Sequence, residues 1–120
     1  MSETAAEEPP KSAVLTDISL LNIARAIKEN DVQAFLLLDI PLTTVITYYE
    51  TMRSLNQKET AFRQRAIMLW KMMRETKKEK DRLDELIYAL TESDNKALAD
   101  IVMERNRMNL EITRDLLQSD

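Results

Sequence analysis

Three residue types are missing from this chain of 120 residues: cysteine, histidine and glycine. Without cysteine and histidine, the chain cannot build a disulfide, a Ser-His-Asp or Cys-His triad, or the usual zinc sites. Without glycine it has no glycine-rich loop to hold a phosphate, and turns with positive φ are left to Asn and Asp. These absences predict helices joined by short connections, with no enzymatic activity, no cofactor and no bound metal.

The charge and the hydropathy of the chain argue against nucleic-acid binding and against a membrane span. The chain has 17 basic and 21 acidic residues, and its formal net charge of −4 does not favour nucleic acid as a partner. No apolar run approaches the roughly 18 residues of a membrane span. The sequence shows no motif for a small-molecule substrate, and the lack of cysteine fits a reducing compartment. We therefore expect a cytoplasmic protein whose partners are other proteins.

Composition divides the chain into a tail and one domain. Residues 1–14, "MSETAAEEPPKSAV", are acidic, contain a Pro-Pro pair and offer little to bury, which predicts a disordered tail. They lack the basic start and the apolar stretch of a secretory signal. Residues 15–118 are long enough for one domain with one core.

Apolar residues recur at helical spacing in six segments of this domain. The first segment begins at a cap near Thr16, and the second begins after Asn30 and ends before Pro41. The third is "PLTTVITYYETM". Asn56 followed by Glu59 resembles a capping box in front of the fourth helix. The pattern predicts an all-α, six-helix antiparallel bundle with short connections.

The last helix is predicted to be long, because Met108, Ile112 and Leu116 continue the apolar spacing every four residues. This stripe either pairs with a partner helix or packs back on its own domain. Trp70 lies on the apolar stripe of the fourth helix, which indicates a core residue rather than a partner contact. The predicted core consists of Leu20, Ala24, Ile27, Phe35, Val45, Ile46, Phe62, Ala66, Leu69, Trp70, Leu83, Leu86, Ile87, Leu90, Leu98, Ile101 and Val102.

The order of these segments resembles one known family. A helix ending in "LW", a charged break, then "LDELIYAL" and "KALADIV", resembles the fourth to sixth helices of a death domain. Upstream, "FLLLDIPLTTVITYY" is similar to the turn from the second helix into the third. Within the family, the tryptophan of helix four and the long final helix are closest to Fas-associated adaptors. The second helix departs from some relatives because it carries no Lys or Arg.

The resemblance implies a Greek-key arrangement and a non-catalytic function. Death domains bind other death domains, homotypically or heterotypically, and build apoptotic or innate-immune signalling complexes. An adaptor or the domain of a receptor tail is therefore expected, with self-association possible. The alternative is a helical scaffold or regulatory subunit that binds a partner through its long C-terminal helix.

Charged residues are the candidate binding surface. The segment from Lys71 to Lys80 has five cations and two anions, and it is typical either of a solvated helix end or of a surface that docks on acidic helices. Binding of nucleic acid is a third interpretation of this segment. The candidate partner-binding residues are Arg53, Lys58, Arg63, Arg65, Lys77 and Lys78 on the basic side, and Asp81, Asp84, Glu85 and Asp94 on the acidic side.

Overall fold

The computed structural model describes residues 12–117, and within them the fold is all-helical with no strand. This confirms the all-α prediction. The predicted tail over residues 1–11, and residue 118 at the end of the predicted domain, lie outside the described part. The helices are α1 (Asp17–Ala26), α2 (Asp31–Leu37), α3 (Leu42–Ser54), α4 (Glu59–Met73), α5 (Glu79–Glu92), α6 (Lys96–Met108) and α7 (Arg114–Leu117), preceded by a 3₁₀ turn at Ala13–Leu15.

The predicted tail is too long at its C-terminal end. Residues 12–14 belong to the folded domain, because Val14 is fully buried and Leu15 is nearly so. The Ser12 backbone N–H donates to Glu79 Oε1 at 3.0 Å. The two apolar side chains of "SAVL" therefore pack into the bundle, although the acidic residues before them dominate the composition of the predicted tail.

Antiparallel pairs of helices that are distant in sequence build the core. Helix α1 lies along α4, with the side chain of Gln64 donating to the Leu21 carbonyl at 3.2 Å. Helix α2 lies along α5, and α3 and α6 pack against α4 and α5 respectively. Phe62 is at the centre, with edge-to-face contacts to Phe35 (5.8 Å between ring centroids) and Tyr49 (5.5 Å).

Most of the predicted core residues lie inside. Twelve of the seventeen are buried, and four lie half-buried against that core, namely Leu69, Leu83, Ile87 and Ile101. The prediction that Ile46 belongs to the core is wrong, because its side chain is 45% exposed. The inward face of α3 follows Val45, Tyr49 and Met52, and Ile46 shares the outward face with Leu42, four residues before it.

The prediction of one long C-terminal helix is wrong. Helix α6 ends at Met108, and Asn109 adopts a left-handed conformation with φ of 53°. The chain then turns back, so that Ile112 is fully buried and its N–H donates to Ser19 Oγ at 3.0 Å. Met108 and Leu116 stay partly exposed on either side of this turn. The three residues therefore do not form a continuous apolar stripe.

All residues with positive φ in the described part of the chain are Asn or Asp, as the absence of glycine predicts. At the end of α3, Asn56 has φ of 56°. Its N–H donates to the Arg53 carbonyl at 3.1 Å, and the Gln57 N–H donates to the Met52 carbonyl at 2.8 Å. This pair of bonds is a Schellman motif with Asn in the position usually held by glycine.

The same pair of bonds ends three other helices. Asp39 ends α2, Asp94 ends α5 and Asn109 ends α6, each in the left-handed conformation. Asn56 is therefore the stop signal of α3, and the predicted capping box with Glu59 does not form. Lys58 instead precedes α4 as its N-cap residue, without a side-chain cap bond.

The buried side-chain amide of Asn95 links the α5–α6 connection to the α1–α2 connection. Asn95, between α5 and α6, is 8% exposed. Its Oδ1 accepts from the backbone N–H groups of Lys28 (3.2 Å) and Glu29 (3.3 Å), and its Nδ2 donates to the Glu29 carbonyl at 2.8 Å. One side chain thus satisfies the backbone groups left open between α1 and α2.

Substitutions at Asn56 test whether its left-handed backbone conformation contributes to stability at the end of α3. Asn56→Gly should leave the free energy of unfolding unchanged or raise it, whereas Asn56→Ala should lower it by about 1 kcal/mol, because a Cβ without a polar group disfavours this conformation. Urea denaturation of the two variants measures the difference. Equal stability of the glycine and alanine variants would show that Asn56 carries no conformational strain.

Candidate protein-binding surface

The ten candidate partner-binding residues fall into three groups in the structure. The side chains of Arg53, Lys58, Lys77, Lys78 and Asp81 are exposed and form no hydrogen bond or ion pair with any part of the chain that is described. Arg65, Asp84 and Asp94 are exposed with one partner each: the Tyr48 ring (5.4 Å), Lys80 (3.2 Å) and Asn30 (2.9 Å). The remaining two, Arg63 and Glu85, are largely buried.

Arg63 is a structural residue and not a surface contact. Its side chain is 12% exposed, and its Nε donates to the Ala24 carbonyl at 3.0 Å at the C-terminal end of α1. Its Nη1 lies 3.6 Å from an oxygen of Asp31 and 3.7 Å from one of Glu59. The residue therefore joins α4 to the ends of α1 and α2, and the prediction that it binds a partner is corrected.

Glu85 likewise holds the domain together, and its contacts with Trp70 and Arg74 are called the anchor below. Its Oε1 accepts from the indole Nε1 of Trp70 at 3.0 Å and from Arg74 Nε at 2.8 Å, and its Oε2 accepts from Arg74 Nη2 at 3.0 Å. Arg74 Nη2 also donates to Asp39 at 3.0 Å. One carboxylate thus binds α5 to the buried tryptophan of α4, and the guanidinium extends the connection to the end of α2.

Electrostatics favour the charged form of Glu85. Desolvation by burial raises the pKa of this carboxyl, but the hydrogen bonds from Arg74 and Trp70 and the charges of Arg74 and Lys77 outweigh it. The net result is a pKa below the ordinary value. The hydrogen bond to Glu85 is also the main reason why the pKa of Arg74 is raised.

Asp39 is a member of this group that the sequence does not reveal. The residue lies between two apolar helices in "LLLDIPL", where the pattern indicates only a turn residue. Its position as the left-handed stop of α2 aims it at Arg74, which is 35 residues further along the chain. No local pattern contains that information.

The anchor borders a cleft of about 410 Å³ at the start of α5. Arg74 and Glu85 line it together with Lys77 and Asp81, which are exposed and form no ion pair with a described residue. The cleft therefore presents separated positive and negative charge to solvent. Such an arrangement can orient a charged protein partner, although each exposed pair contributes only about 0–1 kcal/mol.

The described residues offer neither a metal site nor a membrane span. Among the residues that the structure describes, no group of three or more Asp or Glu side chains is placed to hold a metal ion. No helix within residues 12–117 combines the length and the apolar character needed to cross a membrane. Comparison with known proteins also gave no result, since no family model, no curated protein and no solved structure matches the chain.

Glu85→Gln tests the pH dependence of the anchor. Because the pKa is lowered in the folded state, the stability that the carboxylate contributes is complete above its ordinary pKa of about 4.3 and is lost as the pH falls below it. The variant lacks this contribution, so its free energy of unfolding should fall less steeply between about pH 5 and pH 3. Urea denaturation across that range measures both slopes.

Glu92→Gln removes the same charge from an exposed position on the same helix and controls for the change in net charge. Parallel pH profiles for wild-type protein and Glu85→Gln would contradict the role given to the carboxylate.

Trp70 is expected to be essential for stability. Trp70→Ala should cost about 3–5 kcal/mol, because it removes a fully buried ring and leaves Glu85 one donor short. Trp70→Phe keeps most of the ring and should cost clearly less. Chemical denaturation compares the two variants, and a loss of less than about 1 kcal/mol for alanine would contradict the central position of the indole.

Proposed function

We propose that the protein is a non-catalytic interaction domain of the death-domain type, acting as an adaptor or receptor-tail domain in an apoptotic or innate-immune signalling complex in the cytoplasm. Its partners would be other death domains, including further copies of itself. One observation carries the proposal: exposed charges of both signs stand without ion-pair partners among the described residues, beside the Trp70–Glu85–Arg74 contacts between α4 and α5.

The arrangement of the helices supports a Greek-key bundle. Helices α1 and α4 pair antiparallel, as do α2 and α5, so each pair joins helices that are separated by two others in sequence. The tryptophan that carries the family resemblance lies in the interior, where it joins α4 to α5. The same six segments that resemble the family are the six longer helices of the described domain.

The distribution of charge supports head-to-tail association. Lys77 and Lys78 project from the loop between α4 and α5, and Asp81 and Asp84 follow on the exposed side of α5. Exposed groups of opposite charge can bind each other between copies, and head-to-tail contacts of this kind propagate unless they close into a ring. Association of this kind should weaken as salt increases.

The alternative function, a scaffold that binds a partner through a long C-terminal helix, has no support in the described residues. Ile112, the middle residue of the expected stripe, is fully buried in its own domain. A continuous apolar helix face from Met108 to Leu116 is therefore not available to a partner.

Charge reversal tests the proposal. Lys77→Glu with Lys78→Glu makes one surface acidic, and Asp81→Lys with Asp84→Lys makes the other basic. Each double variant should lose self-association in sedimentation experiments at low salt, because like charges then face each other. Mixing the two variants should restore association, since each reversed surface regains an opposite partner.

Arg25→Glu with Arg114→Glu is the matched control for the lysine variant, because it makes the same change in net charge on α1 and α7. Circular dichroism and thermal unfolding verify that the variants are folded. A wild-type chain that remains monomeric at millimolar concentration in low salt, or a mixture that fails to associate, would refute binding through these surfaces.

A further inference from the structure

Two strongly exposed apolar side chains lie in opposite electrostatic surroundings. Leu55 follows the last turn of α3 and is 60% exposed, and Tyr88 on α5 is 57% exposed. Neither side chain forms a ring contact or a hydrogen bond with any residue that the structure describes. Single exposed apolar side chains are normal on a monomer, so the charges around these two residues decide which partner they fit.

The surroundings of Leu55 are basic. The segment over residues 53–58, called the leucine loop below, contains Arg53 and Lys58 and no acidic residue. Both cations are exposed, and neither forms an ion pair within the described part of the chain. A leucine therefore stands between two available positive charges, where α3 ends and before α4 begins.

The surroundings of Tyr88 are acidic. Asp84 lies one turn of α5 before it and Glu92 lies one turn after it, and these three exposed residues are called the tyrosine face below. Glu92 forms no ion pair with a described residue, and Asp84 pairs with the exposed Lys80. Because an exposed pair of this kind is weak, Asp84 stays available. The two acidic positions are about 12 Å apart along the helix, with the ring between them.

The folded domain does not cover either surface. Helix α3 packs against α2 and α4, whereas α5 packs against α2 and α6. Leu55 and Tyr88 are both more than half exposed, so each lacks an apolar neighbour that would remove it from water. The same chain carries two surfaces that are complementary in charge and similar in their apolar centre. A second copy can therefore offer each surface its partner.

We propose that the leucine loop of one copy docks on the tyrosine face of a second copy, with Leu55 against the ring of Tyr88. The leucine and the ring leave water together, and the charges around them pair, as in an interface with an aromatic centre and a polar rim. Charge sets the orientation, because two leucine loops or two tyrosine faces would bring like charges together. The contact joins two different surfaces, so it propagates from copy to copy unless it closes into a ring.

This contact goes beyond the proposed function. It requires neither membership of the death-domain family nor the charges of Lys77 and Lys78. Because its centre is apolar, it should persist at about 150 mM salt, where the Debye length is about 8 Å and attraction between exposed charges alone is weakened. Salt concentration therefore separates the two kinds of association.

Substitutions at the two centres test the contact by sedimentation at about 150 mM salt. Leu55→Glu and Tyr88→Lys each place a charge at the centre that has the same sign as the surface it would meet. Each variant should weaken self-association about tenfold or more, because the apolar centre is lost and like charges repel. An equimolar mixture should associate again, since one variant keeps an intact tyrosine face and the other keeps an intact leucine loop.

The chain offers a matched control for each variant. Leu42→Glu makes the same exchange at a leucine that is 52% exposed at the start of α3, and Ile18→Lys introduces a lysine at an apolar residue that is 53% exposed on α1. Both controls should associate like wild type. Circular dichroism verifies that all four variants are folded, as their exposed positions lead us to expect.

Three results overturn the inference: a wild-type chain that stays monomeric at millimolar concentration and about 150 mM salt, a Leu55→Glu or Tyr88→Lys variant that associates like wild type, or a mixture that stays dissociated. Association that is lost on charge reversal at Lys77 and Lys78, but not in these variants, refutes this contact alone. The opposite result refutes the surface assigned under the proposed function and leaves this contact standing.

Discussion

The carboxylate of Glu85 is the interaction on which the rest of the structure depends. It accepts a hydrogen bond from the indole N–H of Trp70 inside the core and two hydrogen bonds from Arg74 at the surface. Indole and guanidinium both need an acceptor when they leave water, and one side chain satisfies them together. Helices α4 and α5 are thereby fixed to each other, and Asp39 adds the end of α2 through the same guanidinium. Removing the carboxylate would leave the indole N–H of Trp70 and the Nε–H of Arg74 without this acceptor.

Periodicity predicts the core because burial on a helix follows a spacing that the sequence displays. Trp70, Phe62 and Leu86 lie where their stripes place them. The error at Ile46 arises because α3 is apolar on both sides, so the neighbours in space and not the pattern decide which side is covered. The length of α6 is overestimated for a different reason: a single Asn in the left-handed conformation ends the helix without a proline or glycine to mark the position.

The binding surface is harder to predict than the core. Arg63 and Glu85 look like ordinary exposed charges in a helical pattern, but their partners come from other helices, 39 and 15 residues away. Lys77 and Lys78 are exposed as expected, because the loop between two helices leaves their side chains without an ion-pair partner among the described residues. A charge count therefore indicates that a surface exists, whereas only tertiary geometry separates the charges that hold the domain together from those that remain available.

The Ser19 hydroxyl connects both outer segments of the domain to one helix. It donates to the Ala13 carbonyl at 2.6 Å and accepts from the Ile112 N–H at 3.0 Å, and Asn22 one turn later donates to the Ile112 carbonyl. A mechanical pull between the first and last turns of the domain would therefore load α1 through this hydroxyl, and α5 through the bond between Ser12 and Glu79. Under tension, the two outer segments would detach from the domain first, and the helices around Trp70 would stay folded.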